Sequence, residues 1–158
     1  YSRKLERLEQ EARRLGIDKQ MRLRTADSSR PLPFAQKSFD LILVDAPCTG
    51  LGTLRRHPEI RYRRVEEDIA RMAELQGQMT DNVLRYLKPG GSLVYAVCSM
   101  EPEEGEQRAA ALAAKGMKIA PPLAPGVPWD EVRAPGGGIA TFPQRHGTDG
   151  FFGVRVTS

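Results

Sequence analysis

Two cysteines and an acidic residue are the side chains of this sequence best suited to chemistry. The segment VDAPCTG contains Asp45 and Cys48, and the segment YAVCSM contains Cys98, the second of two cysteines in the chain. Each cysteine comes directly after an apolar run. Four arrangements are consistent with two thiols beside a carboxylate: a disulfide, a metal site, two buried structural cysteines, and nucleophilic catalysis by a thiolate.

The composition weighs against the first two arrangements. The charged N-terminus does not resemble a signal peptide, so reduced thiols in a cytoplasmic setting are expected and a disulfide is disfavoured. A metal site needs about four ligands, and only His57 and His146 could add ring nitrogens, so no metal is expected. No apolar run approaches the ~20 residues that cross a bilayer, which argues against a membrane protein.

Positive charge is concentrated directly after the first cysteine. The 158 residues carry a formal net charge of +4. Five arginines fall within residues 55–64: Arg55, Arg56, Arg61, Arg63 and Arg64. A solvated loop and a segment that grips nucleic-acid phosphates beside a reactive site are both consistent with this cluster.

Helical and strand patterns alternate along the chain. Helices are predicted for residues 3–15, 65–87 and 101–115. Strands are predicted for residues 21–27, 39–46, 92–97, 117–121 and 150–156, with 121–149 mostly loop. This alternation predicts an α/β sandwich with a largely parallel sheet, in which residues 39–46 are buried on both faces.

The predicted sheet would bring the cysteines together. If residues 39–45 and 92–97 are parallel strands joined by a crossover helix, their carboxyl ends lie at one edge of the sheet, where ligands bind in such folds. Cys48 and Cys98 would then face one cleft beside Asp45. Cys98 also precedes a predicted helix, whose dipole would lower the pKa of the thiol.

Five segments together resemble the RNA 5-methylcytosine methyltransferase family, the Sun/NSUN group, and in particular its bacterial small-subunit ribosomal RNA branch. They are DAPCTG (45–50), RRHPEI (55–60), LKPGGSLVYAVCSM (87–100), PEEGEQ (102–107) and HGTDGFF (146–152). The resemblance spans the chain apart from the loop near 121–142. It implies a Rossmann-like class I methyltransferase fold, S-adenosylmethionine as the cofactor, and RNA, foremost ribosomal RNA, as the substrate.

The resemblance also implies a role for each site residue. Cys98 matches the thiol that adds to carbon 6 of cytosine, and Cys48 matches the thiol that assists release of the methylated base. Asp45 matches the acid that hydrogen-bonds the pyrimidine edge and assists protonation at ring nitrogen 3. The implied cofactor contacts are Asp27, Asp45 and Pro47. The implied RNA contacts are Arg55, Arg56 and His57.

Two other functions are consistent with parts of the sequence. DNA 5-methylcytosine enzymes also place a cysteine after a proline, but usually in a Pro-Cys-Gln context, whereas this chain has Pro-Cys-Thr and a second cysteine. A non-catalytic RNA-binding module could keep the fold, but such a module has no need of both cysteines.

Parts of the family pattern are missing from the sequence. The glycine-rich strand–helix turn and the strand ending in a ribose-binding acid, which open the family's cofactor site, are not found. Residues 1–158 are therefore expected to be the C-terminal portion of one catalytic domain, without its first two strands, inactive alone and a poor binder of S-adenosylmethionine. The preceding part of the same protein is the expected partner.

Two local consequences of these departures can be tested. Residues 21–27 would have no neighbouring strand, so the first ~35 residues are expected to pack irregularly unless another chain fills the gap. Gly105 stands where the family commonly has asparagine, so either a helix cap or a hydrogen bond that supports the site is expected to be lost. Glu103 and Glu104 would complement the dipole at the start of that helix.

Overall fold

The computed structural model describes residues 2–121 and 128–158, and in that part of the chain five strands form one sheet. The strands are β1 (Phe39–Asp45), β2 (Leu87–Val97), β3 (Lys118–Ala120), β4 (Ile139–Thr141) and β5 (Phe151–Thr157). The helices are α1 (Ser2–Arg14), α2 (Glu67–Leu84), α3 (Glu106–Ala114), α4 (Trp129–Val132) and α5 (Pro143–His146). Short 3₁₀ turns lie at Asp18–Gln20, Leu51–Thr53 and Pro58–Tyr62. The predicted α/β class is confirmed.

The sheet has the strand order β1-β2-β5-β3, with β4 also paired to β5. β1 and β2 are parallel and in register from Leu41 opposite Ser92 to Asp45 opposite Ala96, which confirms the predicted crossover through α2. β5 runs antiparallel to β2, β3 and β4, so a largely parallel sheet is wrong for the described residues. The reason is that β5 starts where β2 ends, with Phe152 opposite Val97. The loop that precedes β5 therefore lies at the edge of the sheet that carries the cysteines.

The central strand β2 forms the core. Leu93, Tyr95 and Val97 alternate with less buried residues along it, and each is 0% exposed. Val156 of β5 and Leu112 of α3 pack in the same hydrophobic cluster. Burying an aliphatic side chain of this size contributes about 1.5–3 kcal/mol, so β2 is a rigid support for the segment that follows it.

The outer strand β1 has one open face. Leu41 is 54% and Leu43 is 66% exposed, whereas Val44, on the opposite face of β1, belongs to the hydrophobic core and is 6% exposed. The prediction that residues 39–46 are buried on both faces is therefore wrong for this structure. Within the described residues no further strand pairs with the outer edge of β1, and Leu41 and Leu43 remain more than half exposed.

The predicted strand at residues 21–27 does not form. This segment has no regular structure, as expected for a strand sequence without a partner to satisfy its backbone groups. The segment that follows is attached to α2: the Asn82 amide donates to the carbonyl oxygens of Ser28 at 3.0 Å and Arg30 at 2.5 Å. The Tyr86 hydroxyl accepts from the Leu32 amide at 2.7 Å. The prediction of an irregular N-terminal part is thus confirmed for residues 21–35 only, because residues 2–14 form the helix α1, close to its predicted range.

Helix ends and short elements differ from the sequence patterns. α3 begins at Glu106, and the preceding residues form a turn in which the Glu104 amide donates to the Glu101 carbonyl at 3.1 Å. Gly105 caps α3 without a side-chain hydrogen bond, as expected. A Cβ atom at Gly105 would lie 3.0 Å from the ring of Phe152. α4, β4 and α5 lie in the segment predicted to be mostly loop. Elements of three or four residues depend on distant partners, as β4 does on β5, so they leave no clear pattern in the sequence.

None of the helices in residues 2–121 and 128–158 has both the length and the apolar character needed to cross a membrane.

Candidate functional site

The structure brings the two cysteines into contact. The sulfur atoms of Cys48 and Cys98 are 3.3 Å apart, although the residues are 50 positions apart in the chain. Both side chains are partly exposed, and both thiols are free. The distance is well above the ~2.05 Å of a disulfide and suits a hydrogen bond between a thiol and a thiolate. The predicted shared cleft is confirmed, because β1 and β2 end side by side.

The contact makes the two thiols unequal. The hydrogen bond that Cys48 donates lowers the pKa of Cys98 to about 7, assisted by the Cys98 backbone amide and opposed by burial and the charges of Asp45 and Glu104. The same contact, followed by burial, raises the pKa of Cys48. At neutral pH about half of the Cys98 side chains are therefore thiolates, whereas Cys48 keeps its proton.

The helix dipole is not the cause of this shift. The prediction placed Cys98 just before a helix start, but α3 begins only at Glu106. The hydrogen bond from Cys48 replaces that explanation, and it could not be foreseen without the distance between the sulfurs.

Asp45 borders an open groove, and Pro47 follows it two residues later in the chain. Asp45 is the last residue of β1, and both it and Pro47 are exposed. A groove of about 310 Å³ runs from Asp45 along the open face of β1 toward the loop that contains Ser28. It is lined mostly by apolar side chains, including Leu43 and Met79, with Asp45 as its carboxylate. Such a surface suits a flat apolar ring with a polar edge.

Asp27 lies in a turn rather than at a strand end. Its carboxylate accepts hydrogen bonds from the Ser29 hydroxyl at 2.6 Å and the Ser29 amide at 3.0 Å, and these lower its pKa. Arg30 lies 3.4 Å from the same carboxylate. Asp27 is exposed, and the next residue, Ser28, lines the groove. The predicted strand-end position is wrong, whereas the predicted cofactor contact stays a prediction.

A buried carboxylate behind the cysteines was not foreseen as part of the site. Glu104 is 0% exposed. Its Oε1 accepts from the Thr49 amide and the Gln76 side chain, each at 2.9 Å. Its Oε2 accepts from the hydroxyls of Thr49 and Ser99, each at 2.5 Å. The sequence placed Glu104 at a helix start, and a Glu-Glu pair after a proline carries no signal of burial.

The loop before β5 packs against the segments that follow Cys48 and Cys98. The Gly52 amide donates to the carbonyl of Cys98 at 3.1 Å, and the Gly150 amide donates to the carbonyl of Gly52 at 2.7 Å. A Cβ atom at Gly52 would lie 2.0 Å from the Gly150 oxygen. Only glycine allows the three backbone segments to approach this closely.

Three arginines of the basic cluster support loops. Arg56 Nε donates to the buried Asp149 carboxylate at 2.6 Å, and Arg55 Nη1 donates to the Gly147 carbonyl at 3.0 Å. Arg64 Nε donates to the carbonyl of Thr49, the residue after Cys48, at 2.9 Å. The Arg56 side chain is still 58% exposed, so its bond to Asp149 leaves part of the guanidinium accessible to a ligand.

The rest of the basic segment faces solvent. His57 lies 3.4 Å from Glu59. Tyr62 is 84% exposed, and the Arg61 guanidinium lies over its ring, 5.6 Å from the centroid. Arg63 is also exposed. An exposed aromatic ring between two arginines is suited to an unstacked nucleic-acid base and its phosphates.

Among residues 2–121 and 128–158 there is no group of three or more histidine, cysteine or acidic side chains placed to hold a metal ion.

Comparisons with known proteins agree on one family. The 16S rRNA methyltransferase RsmB/F family model matches residues 1–157. Ribosomal RNA small subunit methyltransferase B of Thermus thermophilus is 44% identical over 146 residues, covering 92% of this chain and 34% of that protein. The protein of the same name from an Enterobacter strain is 38% identical over 154 residues, covering 97% and 34%. The chain thus spans 34% of the length of these curated relatives.

A solved structure shares the fold. The crystal structure of NSun6 from Pyrococcus horikoshii with SFG superposes with a TM-score of 0.84 at 29% identity, covering 99% of this chain and 39% of that chain.

Proposed function

The chain belongs to the 16S rRNA methyltransferase RsmB/F family, and on that basis we propose that it is the C-terminal portion of a catalytic domain that methylates carbon 5 of cytosine in ribosomal RNA. A preceding part of the same protein would complete the domain. The observation that carries the proposal is the pair of sulfurs 3.3 Å apart, next to Asp45 at one edge of the sheet. A non-catalytic RNA-binding module would have no use for a thiol whose pKa is lowered to about 7.

The first step uses Cys98 and Asp45. Carbon 5 of cytosine is a poor nucleophile. The Cys98 thiolate adds to carbon 6, a C–S bond forms, and the electron pair of the 5,6 double bond becomes available at carbon 5. Asp45 hydrogen-bonds the pyrimidine edge and assists protonation at ring nitrogen 3, which lowers the energy of the adduct.

The release step uses both cysteines. S-adenosylmethionine supplies the methyl group as an electrophile when bound. While Cys98 is bonded to carbon 6, Cys48 no longer faces a thiolate, and after losing its own proton to water it takes the proton from carbon 5. The electron pair of that C–H bond restores the 5,6 double bond, the C–S bond breaks with Cys98 leaving as a thiolate, and the proton at ring nitrogen 3 returns through Asp45. A thiolate of lower pKa leaves faster, so the hydrogen bond from Cys48 favours this step as well.

The groove beside Asp45 is suited to one side of the cofactor. Asp45 and Ser28 line it, and Pro47 and Asp27 are close to these two residues in the sequence. SFG, which accompanies the related NSun6, is an analogue of S-adenosylmethionine. Because the glycine-rich turn is not in this sequence, residues 1–158 alone are expected to bind S-adenosylmethionine weakly. Isothermal titration giving micromolar affinity for this chain alone would refute that expectation.

The basic segment is proposed to hold the RNA. Addition of a thiol comes perpendicular to the base, so the target cytosine must be unstacked. Arg61 and Arg63 are exposed and can reach phosphates, and the ring face of Tyr62 that Arg61 does not cover offers a surface on which a neighbouring base can stack. Arg55, Arg56 and His57 lie on the same segment and extend the basic surface. Such a substrate fits the predicted cytoplasmic location.

The test is transfer of a labelled methyl group from S-adenosylmethionine to small-subunit ribosomal RNA by the full-length protein. We expect 5-methylcytosine in the digested RNA. Label in DNA but not in RNA, or no label with either, would contradict the proposal.

A further inference from the structure

Glu104 links three segments that carry or flank the two cysteines. Thr49 follows Cys48, and Ser99 follows Cys98. One oxygen, Glu104 Oε2, accepts from the hydroxyls of both Thr49 and Ser99 at 2.5 Å. The other oxygen accepts from the Thr49 amide and from Gln76 of α2.

All of the acceptor capacity of Glu104 is used. A carboxylate has about four acceptor sites, and four donors occupy them here. None of these donors is positively charged, so the side chain is not held as an ion pair. A fully buried carboxylate is costly without such bonds, and its removal would leave the buried Thr49 amide without its partner.

Two more bonds extend the network into the rigid core. The Tyr95 hydroxyl donates to the Glu104 carbonyl at 2.7 Å, so the core strand β2 fixes the backbone of Glu104. Gln76 also donates to the Pro47 carbonyl at 2.9 Å, just before Cys48. The loop after β1 is thus attached to Glu104 directly and through α2.

We propose that Glu104 is a positioning residue that holds the loops after β1 and β2 together, so that the Cys48 thiol stays in hydrogen-bond contact with the Cys98 sulfur. This inference rests on the proposed function for its kinetic consequence. Its structural consequence, the contact between the sulfurs, can be measured without any methyl transfer.

Glu104 acts on the pKa of Cys98 in two opposite ways, through the position of the Cys48 thiol and through its own negative charge. Substitutions can therefore separate the two effects. The charges of Glu104 and Asp45 raise the pKa of Cys98, whereas the Cys48 contact lowers it. In Glu104→Gln the amide oxygen still accepts from the Thr49 and Gln76 amides, and the amide nitrogen can donate to the two hydroxyls. This variant keeps the links and loses the charge, while Glu104→Ala loses both.

The experiment compares Glu104→Ala, Glu104→Gln and the exposed neighbour variant Glu103→Ala in the full-length protein. Two quantities are measured: the pH dependence of Cys98 alkylation by iodoacetamide, followed by peptide mass spectrometry, and kcat and KM for RNA methylation. For Glu104→Ala we expect an alkylation pKa near the ordinary thiol value and kcat reduced about 100-fold with KM within about threefold, the effect of misplacing a reacting group by ~1 Å.

Glu104→Gln should retain kcat within about threefold and show an unchanged or lower alkylation pKa, because a nearby negative charge is gone. Glu103→Ala should resemble the unaltered protein. Equal loss of kcat in Glu104→Gln and Glu104→Ala, or an unchanged Cys98 pKa in Glu104→Ala, would overturn the proposal. If Glu104→Ala does not fold, Ser99→Ala removes only the hydrogen bond between Ser99 and Glu104. An unchanged Cys98 alkylation pKa in Ser99→Ala would equally overturn the proposal.

The two ideas fail in different ways. If the unaltered protein transfers no methyl group to RNA, the proposed function is wrong, but the alkylation profiles still decide whether Glu104 positions the cysteines.

Discussion

The Cys48 and Cys98 sulfur atoms lie 3.3 Å apart, and this contact lowers the pKa of Cys98 to about 7 while it raises the pKa of Cys48. Parallel pairing of β1 and β2 brings the two chain segments together. The Glu104 carboxylate then joins the residues that follow each cysteine. The chemistry of the site therefore depends on the sheet topology and on a buried hydrogen-bond network.

Removal of the donor at position 48 should raise the pKa of Cys98. In Cys48→Ala, the pKa of the Cys98 thiol should rise from about 7 toward the ordinary thiol value, because its thiolate loses a hydrogen bond. Less thiolate is then present at neutral pH, and alkylation of Cys98 at pH 7 should slow about tenfold. The measurement is the rate of iodoacetamide labelling against pH.

The matched control is Cys48→Ser, whose hydroxyl can still donate to the sulfur. Its labelling profile should lie between those of Cys48→Ala and the unaltered protein. Identical profiles for the alanine and serine variants would show that the hydrogen bond does not set the pKa.

The scaffold was predictable where the pattern is local and strong. β1, β5 and the long periodic helix α2 lie close to their predicted positions, whereas β2 has its predicted end but starts at Leu87, five residues before its predicted start. Their parallel crossover followed from the alternation of strand and helix, and it placed Cys48 beside Cys98 correctly.

A close backbone approach makes Gly52 sensitive to the smallest substitution. In Gly52→Ala the added carbon would lie 2.0 Å from the Gly150 oxygen and 3.0 Å from the Cys98 oxygen, and neither backbone group can move freely. We expect a loss of about 3 kcal/mol in the free energy of unfolding, at the upper end of overpacking costs. Denaturant unfolding of the full-length protein measures it.

Gly153→Ala is a suitable control, because its added carbon would meet the nearest atom at 3.4 Å, an ordinary contact. The free energy of unfolding of this variant should differ by less than about 1 kcal/mol from that of the unaltered protein, because strand propensities span only about that range and do not favour glycine over alanine. Comparable losses in both variants would mean that the approach of residues 52 and 150 is not a constraint.

The exposed ring of Tyr62 should contribute to RNA affinity. In Tyr62→Ala the dissociation constant for single-stranded substrate RNA should rise about tenfold, within the ~1–3 kcal/mol measured for one base stacked on an aromatic ring. Because Tyr62 is not among the residues proposed to act in the chemical step, kcat at saturating RNA should not change. Fluorescence anisotropy with labelled RNA gives the affinity.

Tyr62→Trp should retain the affinity, and Val65→Ala, at a neighbouring side chain that is 61% exposed, should leave it unchanged. A tyrosine-to-alanine variant that binds RNA as tightly as the unaltered protein would remove Tyr62 from the RNA surface.

Features that depend on distant partners were not predictable. Residues 21–27 alternate like a strand, but no described strand pairs with them. Leu43 has the residue type of a core position and is 66% exposed, because its face of β1 is open. Glu104 has the residue type of a surface position and is 0% exposed, because four donors from other segments meet it. In each case the surroundings, which are distant in sequence, decide the outcome.

The most direct test of the central claim uses RNA that contains 5-fluorocytosine at the target position. Fluorine at carbon 5 cannot leave as a proton does, so the adduct with the attacking cysteine persists after methyl transfer. The full-length protein should form a covalent RNA complex that resists denaturing electrophoresis, and Cys98→Ala should form none. Cys48→Ala should accumulate a covalent complex even with unmodified RNA. A covalent complex that survives Cys98→Ala and disappears in Cys48→Ala would contradict the assigned roles.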